Sequence, residues 1–261
     1  MIHQAVVGAC DANDGLKDGL IDDPRNCRFD PGTLACRSQS SASCLTPQQV
    51  ETARTIMSPV KNSRTNQVFG ARIEPGAELG WDVQAGQQPY GNSMETLKYV
   101  VFKDPQWDWR TFDFDEHLML LNEAGDLIRA NDPNLAPFAS SGGKLLIYHG
   151  WSDQTVVPGP TIDYYSRVLD TMGGAQKTSG WLRLFMAPGM LHCSGGDGPN
   201  TFDAVTALEE WVENGKAPDR VIASHSTNGN VDRTRPLCPY PQVARYVGSG
   251  SIDDAANFVC R

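Results

Sequence analysis

The sequence predicts an α/β fold preceded by an irregular region stapled by cysteines, and three observations carry that expectation. The second half alternates short apolar runs with amphipathic stretches at helical spacing. The first half is rich in Gly, Pro, Asn, Asp and Ser. Seven cysteines are spread along the chain, several at short spacings. The 261 residues, 40% hydrophobic and 20% charged, suffice for one large domain or two modest ones with a real core.

Residues 1 to about 128 promise one clear helix. It opens at Thr46 as N-cap, with Pro47 at the first helical position and Gln49 at the third, and it stops near Pro59. A shorter helix is expected over Met94 to Val101. Another, Glu116 to Arg129, carries Leu118, Leu120, Leu121, Ala124 and Leu127 near helical spacing.

From about 140 the texture changes. Lys144 to His149 is a short apolar run of the kind that forms a buried parallel strand, ending at Gly150-Trp151-Ser152-Asp153. Pro158 to Met172 reads as a helix with Tyr164, Tyr165, Val168 and Leu169 inward. Trp181 to Met186 is a second strand, ending at Pro188-Gly189, and Thr201 to Asn214 a second helix closed by Gly215. This strand–helix–strand–helix order implies an α/β sheet. Two strands fall short of the usual 5–6 or so, so the others are expected from elsewhere. The tail past Gly215 shows little helical or strand pattern.

A net charge of −9 argues against nucleic acid and anionic membrane surfaces as partners, because phosphates repel such a surface. No apolar run has transmembrane length. The cysteine spacings suggest local pairs, 10 with 27, 36 with 44 and 238 with 260, which suit a secreted or periplasmic protein. Seven reduced cytosolic thiols are the alternative. No signal peptide is visible at the first residues. A disulfide framework without one is reconciled if the sequence starts inside a longer protein.

Asp153 follows the carboxyl end of the first strand, and His192 follows the second after a loop. In open α/β sheets that edge holds the site. The order matches the last two members of a Ser–Asp–His triad in an α/β hydrolase. Taken singly, Asp153 could be a capping aspartate and His192 an ordinary loop histidine; together and in order they favour the triad. No G-x-S-x-G elbow occurs. Gly150-Trp151-Ser152-Asp153-Gln154 fails at its last position, and Ser194 follows the histidine, the wrong order for this fold. Separately, Asp11, Asp14 and Asp18 stand among glycines as hard oxygen donors suited to Ca²⁺, or as a solvated acidic turn. This is no EF-hand, since Leu16 and Asp22 occupy the positions that need Gly and Glu.

The motifs His192-Cys193, Gly150-Trp151-Ser152-Asp153, Asp104 to Asp113 and Cys44 to Val50, in this order, resemble the tannase and feruloyl esterase family of α/β hydrolases. The resemblance covers nearly the whole chain. It implies the C-terminal half of an α/β-hydrolase sheet (129–261) plus an irregular, disulfide-stapled, calcium-binding lid domain (1–128). It implies Asp153 and His192 as catalytic residues. It also implies structural calcium on the side chains of Asp11, Asp14 and Asp18 and the carbonyls of Leu16 and Leu20. In that family the cysteine after the catalytic histidine pairs with one before the nucleophilic serine, which leaves Cys193 without a partner in this chain. The implied substrate is a small aromatic ester, feruloyl, galloyl or similar. The nucleophile and oxyanion hole are absent, so the chain alone is expected to be inactive and to need an N-terminal half or to self-associate. The rival reading is a non-catalytic, calcium-stabilised fragment or binding module. The aromatics Trp81, Tyr90, Tyr99, Phe102, Trp107, Trp109 and Phe112 carry no assignment, being either core or pocket.

Overall fold

The computed structural model describes residues 1–37, 41–84 and 86–261, without the side chains of Phe69 and Leu127. It is mixed α/β with three disulfides.

The chain opens with a helix that no sequence signal marked, α1 (Ile2–Cys10). It has no side-chain N-cap and contains Gly8. Val6 and Cys10, four residues apart, are almost fully buried against Ile21 and Cys27. The Cys10–Cys27 disulfide closes this unit. Tertiary packing and a covalent link, rather than propensity, hold such a short helix.

Helix α2 (Pro47–Ile56) follows expectation. Thr46 Oγ1 accepts from Gln49 N, Gln49 Oε1 accepts from Thr46 N, and Pro47 takes the first position. The short strands β1 (Val60–Lys61) and β2 (Val68–Gly70) pair antiparallel. Two short helices, α3 (Trp81–Gln84) and α4 (Gly91–Glu95), come next, α4 running into a π-helical stretch at Thr96–Val101. The helix expected from Met94 therefore starts three residues earlier. Helix α5 (Phe114–Ile128) also starts early, because Asp113 caps it by accepting from Asp115 N and Glu116 N. Its expected inner face is only partly confirmed. Ala124 is buried, Leu120 is exposed, and Leu127 lies outside the described side chains.

After α6 (Ala136–Ser140), strand β3 (Leu145–Gly150), helix α7 (Gly159–Thr171), the short α8 (Ala175–Thr178), strand β4 (Leu182–Ala187) and helix α9 (Ala204–Asn214) form the α/β unit. β3 and β4 pair parallel, Leu145 opposite Leu182 and Gly150 opposite Ala187. Both strands run one residue beyond the expected ends. β4 alternates as a strand buried on both faces must. Leu182, Leu184 and Met186 pack with Ile162, Tyr165 and Val168 of α7. Phe185 and Ala187 pack with Val221, Ala223 and Leu237. Asp203 caps α9, and Gly215, at φ 67°, ends it in the left-handed conformation.

The tail is not patternless. β5 (Val221–Thr227) and β6 (Asn230–Leu237) make an antiparallel hairpin. Its turn, Asn228-Gly229, has both φ angles positive, as a two-residue hairpin turn needs. That dipeptide was the available signal. β7 (Ala244–Tyr246) and β8 (Phe258–Cys260) pair antiparallel. The Cys238–Cys260 disulfide ties β8 to the end of β6. Among the described residues, the sheet of β3 and β4 has no further strand.

Candidate active site

Two loops at the carboxyl ends of β3 and β4 are bound to each other. Trp151 N donates to Ala187 O (2.9 Å) and Ser152 N to Met190 O (3.1 Å). Gly150 has to be glycine, because a Cβ there would run into the Met190 carbonyl. The loop after β4 turns back tightly, with Leu191 N donating to Gly195 O at 3.1 Å around His192-Cys193. Cys193 itself adopts φ 62°, a costly conformation for a residue with a Cβ.

These loops bring Asp153 and His192 together, 39 residues apart in sequence. His192 Nδ1 lies 2.9 Å from Asp153 Oδ2. Asp153 is buried (3% exposed), and its other oxygen, Oδ1, accepts from Thr155 N and Val156 N, both at 2.8 Å. Burial acts to raise its pKa. Hydrogen bonds from His149, His192 and the Val156 and Thr155 amides outweigh burial and hold it down to about 2. The carboxylate is therefore ionised at neutral pH and can only accept, so a neutral His192 ring carries its proton on Nδ1 and leaves the lone pair on Nε2. Among the described residues nothing hydrogen-bonds that nitrogen. Ser152, in the aspartate loop itself, is buried. Cys193 is the one free cysteine among the described residues, and it is exposed.

His192 borders a cavity of about 680 Å³. Its walls include Tyr90, Trp107, Trp109, Phe112 and Leu121 from the first half of the chain, and Thr155 and Val156 beside the aspartate. Phe102 stacks on Trp107 from behind, with ring centroids 4.4 Å apart. Of the aromatics left unassigned by sequence, Tyr90, Trp107, Trp109 and Phe112 thus line the cavity. Tyr99 is exposed, and neither it nor Trp81 lines the cavity. Sequence reading also passed over His149, whose Nε2 lies 3.3 Å from Asp153 Oδ2.

The acidic loop is built differently from a finished cage. Asp11 accepts from Asp18 N and Gly19 N, Asp14 from Leu16 N, and Asp18 from Leu20 N while meeting Arg235 Nη2 at 2.5 Å. Among the described residues no three such groups converge to hold a metal ion. Beside them, Asp22 Oδ2 is sealed from solvent without a partner. Burial, then Asp14 and Asp18, push the Asp22 carboxyl up to about 7. Hard oxygen donors around a concentrated, partly buried negative charge are the chemistry a Ca²⁺ ion answers, so the donor set fits calcium by type.

A family model described as tannase and feruloyl esterase matches residues 1–261. The mono(2-hydroxyethyl) terephthalate hydrolase of Piscinibacter sakaiensis is 36% identical, across 100% of this chain and 51% of that protein. A probable feruloyl esterase B-2 of Aspergillus terreus is 33% identical, across 99% and 53%. The crystal structure of feruloyl esterase B from Aspergillus oryzae superposes with a TM-score of 0.89 at 31% identity, covering 100% of this chain and 55% of that one. The chain spans about half the length of the curated relatives it matches. With the motifs, the fold and a match along its whole length in agreement, the chain belongs to the tannase and feruloyl esterase family.

Proposed function

We propose that this chain supplies the acid–base half and the acyl pocket of a secreted or periplasmic serine esterase that hydrolyses small aromatic esters, feruloyl, galloyl or similar. The observation that carries it is the Asp153–His192 hydrogen bond of 2.9 Å at the edge of an aromatic-walled cavity. His192 Nε2 would take the proton of a serine hydroxyl as it attacks the ester carbonyl. It would then return the proton to the leaving alkoxide and repeat both steps with water. Asp153, fixed by two backbone amides, would hold the tautomer and stabilise the imidazolium.

Residues 1–128 would act as a lid over 129–261, and the serine and oxyanion donors would come from an N-terminal half that docks on this chain. A calcium ion on Asp11, Asp14 and Asp18 and the carbonyls of Leu16 and Leu20 would neutralise the acidic loop and fix its shape. The second reading is a calcium-stabilised binding module without catalysis. It is favoured by one observation: among the described residues nothing hydrogen-bonds His192 Nε2.

Ligand binding tests the pocket without any turnover. Titrating methyl ferulate into the chain should quench tryptophan fluorescence saturably. Trp109→Ala should weaken binding roughly tenfold, the scale of losing one buried aromatic contact of about 1–1.5 kcal/mol. Equal binding of an aliphatic ester of similar size would refute the aromatic assignment.

A further inference from the structure

His149 is the last residue but one of β3, four residues before Asp153, and its ring is tied at both nitrogens. Nδ1 lies 2.8 Å from Thr161 Oγ1 on α7, and Nε2 lies 2.7 Å from Val156 O. A carbonyl can only accept, so Nε2 carries the proton; that fixes the tautomer. The same Nε2 stands 3.3 Å from Asp153 Oδ2, the oxygen that also receives His192. Its side chain is 11% exposed, so water competes poorly for these contacts. Val156 completes a ring of contacts, since its N–H donates to Asp153 Oδ1 while its carbonyl accepts from His149.

We propose that His149 is a positioning residue for the Asp153–His192 pair, sharing the charge of Asp153 Oδ2 and tying that carboxylate to the Val156 wall of the cavity. One donor near a buried carboxylate oxygen lowers the demand it places on the other. His149 thereby keeps Asp153 ionised and its Oδ2 aimed at His192, while Thr161 keeps the His149 ring from turning away. The arrangement matters for ester hydrolysis only if the function proposed above holds, but the contacts can be tested without any substrate.

The test is the carboxyl ¹³C NMR titration of Asp153 in the chain as it stands. In His149→Phe the aspartate should titrate higher by about one pKa unit, because a donor to its charged form is gone. His149→Gln, which keeps an N–H donor, should recover part of that shift. The downfield Nδ1–H proton of His192 should shift or exchange faster in folded His149→Phe, because one of the contacts that aim Oδ2 at it is gone. An unchanged proton would overturn the proposal. So would an Asp153 titration unchanged in folded His149→Phe. If that variant does not fold, Thr161→Val decides: an upward shift of Asp153 supports the proposal and an unchanged titration overturns it. Loss of esterase function elsewhere leaves these readouts untouched, so the two proposals fail separately.

Discussion

The carboxylate of Asp153 is taken almost wholly out of water yet stays charged, and that balance sets its own pH signature. Desolvation alone would push its pKa up; the donors His149, His192, Val156 N and Thr155 N bring it down to about 2. Because the folded value lies below the ordinary aspartate value near 3.9 or so, the carboxylate's contribution is full above about pH 4 and fades as pH falls toward about 2. Two units correspond to about 2–3 kcal/mol. Asp153→Asn should therefore cost about 2 kcal/mol in urea unfolding at pH 7 and much less at pH 2.5. An equal cost at both pH values would contradict the charge-based account. Asp153 and His192 were legible from sequence because each follows a strand in the order a triad needs. His149 was not. A histidine closing an apolar strand carries no mark of its partners until the chain bends at Gly150.

Local signals located the elements where a side chain completes a backbone hydrogen bond. Thr46 and Gln49 cap α2 reciprocally, and Gly215 ends α9, as their types require. Thr46→Ala should cost about 1 kcal/mol, the usual loss for an N-cap hydroxyl. Thermal unfolding would check it, and a melting temperature equal to wild type would show that the cap contributes nothing. Elements held by distant contacts escaped. α1 has no cap and relies on Val6, Cys10 and a disulfide. The β5–β6 hairpin hid in a polar tail, although Asn228-Gly229 marked its turn. Burial explains the difference on β4, whose two faces meet two separate cores and whose run is apolar apart from Arg183.

At the scale of the molecule, the acidic loop and the neighbouring Arg25 are bound to the second half of the chain. Asp18 of the loop pairs with Arg235 on β6, and Arg25 reaches Tyr240 at 2.6 Å and sits over Trp151, beside the aspartate loop. A calcium ion at the loop should therefore stabilise the whole chain rather than one turn. Chelator is expected to lower the melting temperature, and Asp14→Ala to reproduce that drop and remove any further effect of chelator. An unchanged melting curve in both would exclude the calcium site. The β3 edge is the other feature at this scale. Tyr148 on β3 is about half exposed, and no described strand pairs beyond it. That leaves hydrogen-bonding groups and apolar surface where a further strand would fit.

The claim that this chain brings the histidine–aspartate pair but not the nucleophile is tested most directly by methyl ferulate hydrolysis. The 261 residues would be assayed alone and mixed with the N-terminal half of a family relative. Alone they should give no serine-dependent turnover. The mixture should hydrolyse the ester and lose that activity in His192→Ala, because on this proposal the added half would supply both the serine and the oxyanion donors, the latter worth about 10²–10³ in rate. Turnover by the chain alone, abolished by Ser152→Ala or Ser194→Ala, would contradict the account.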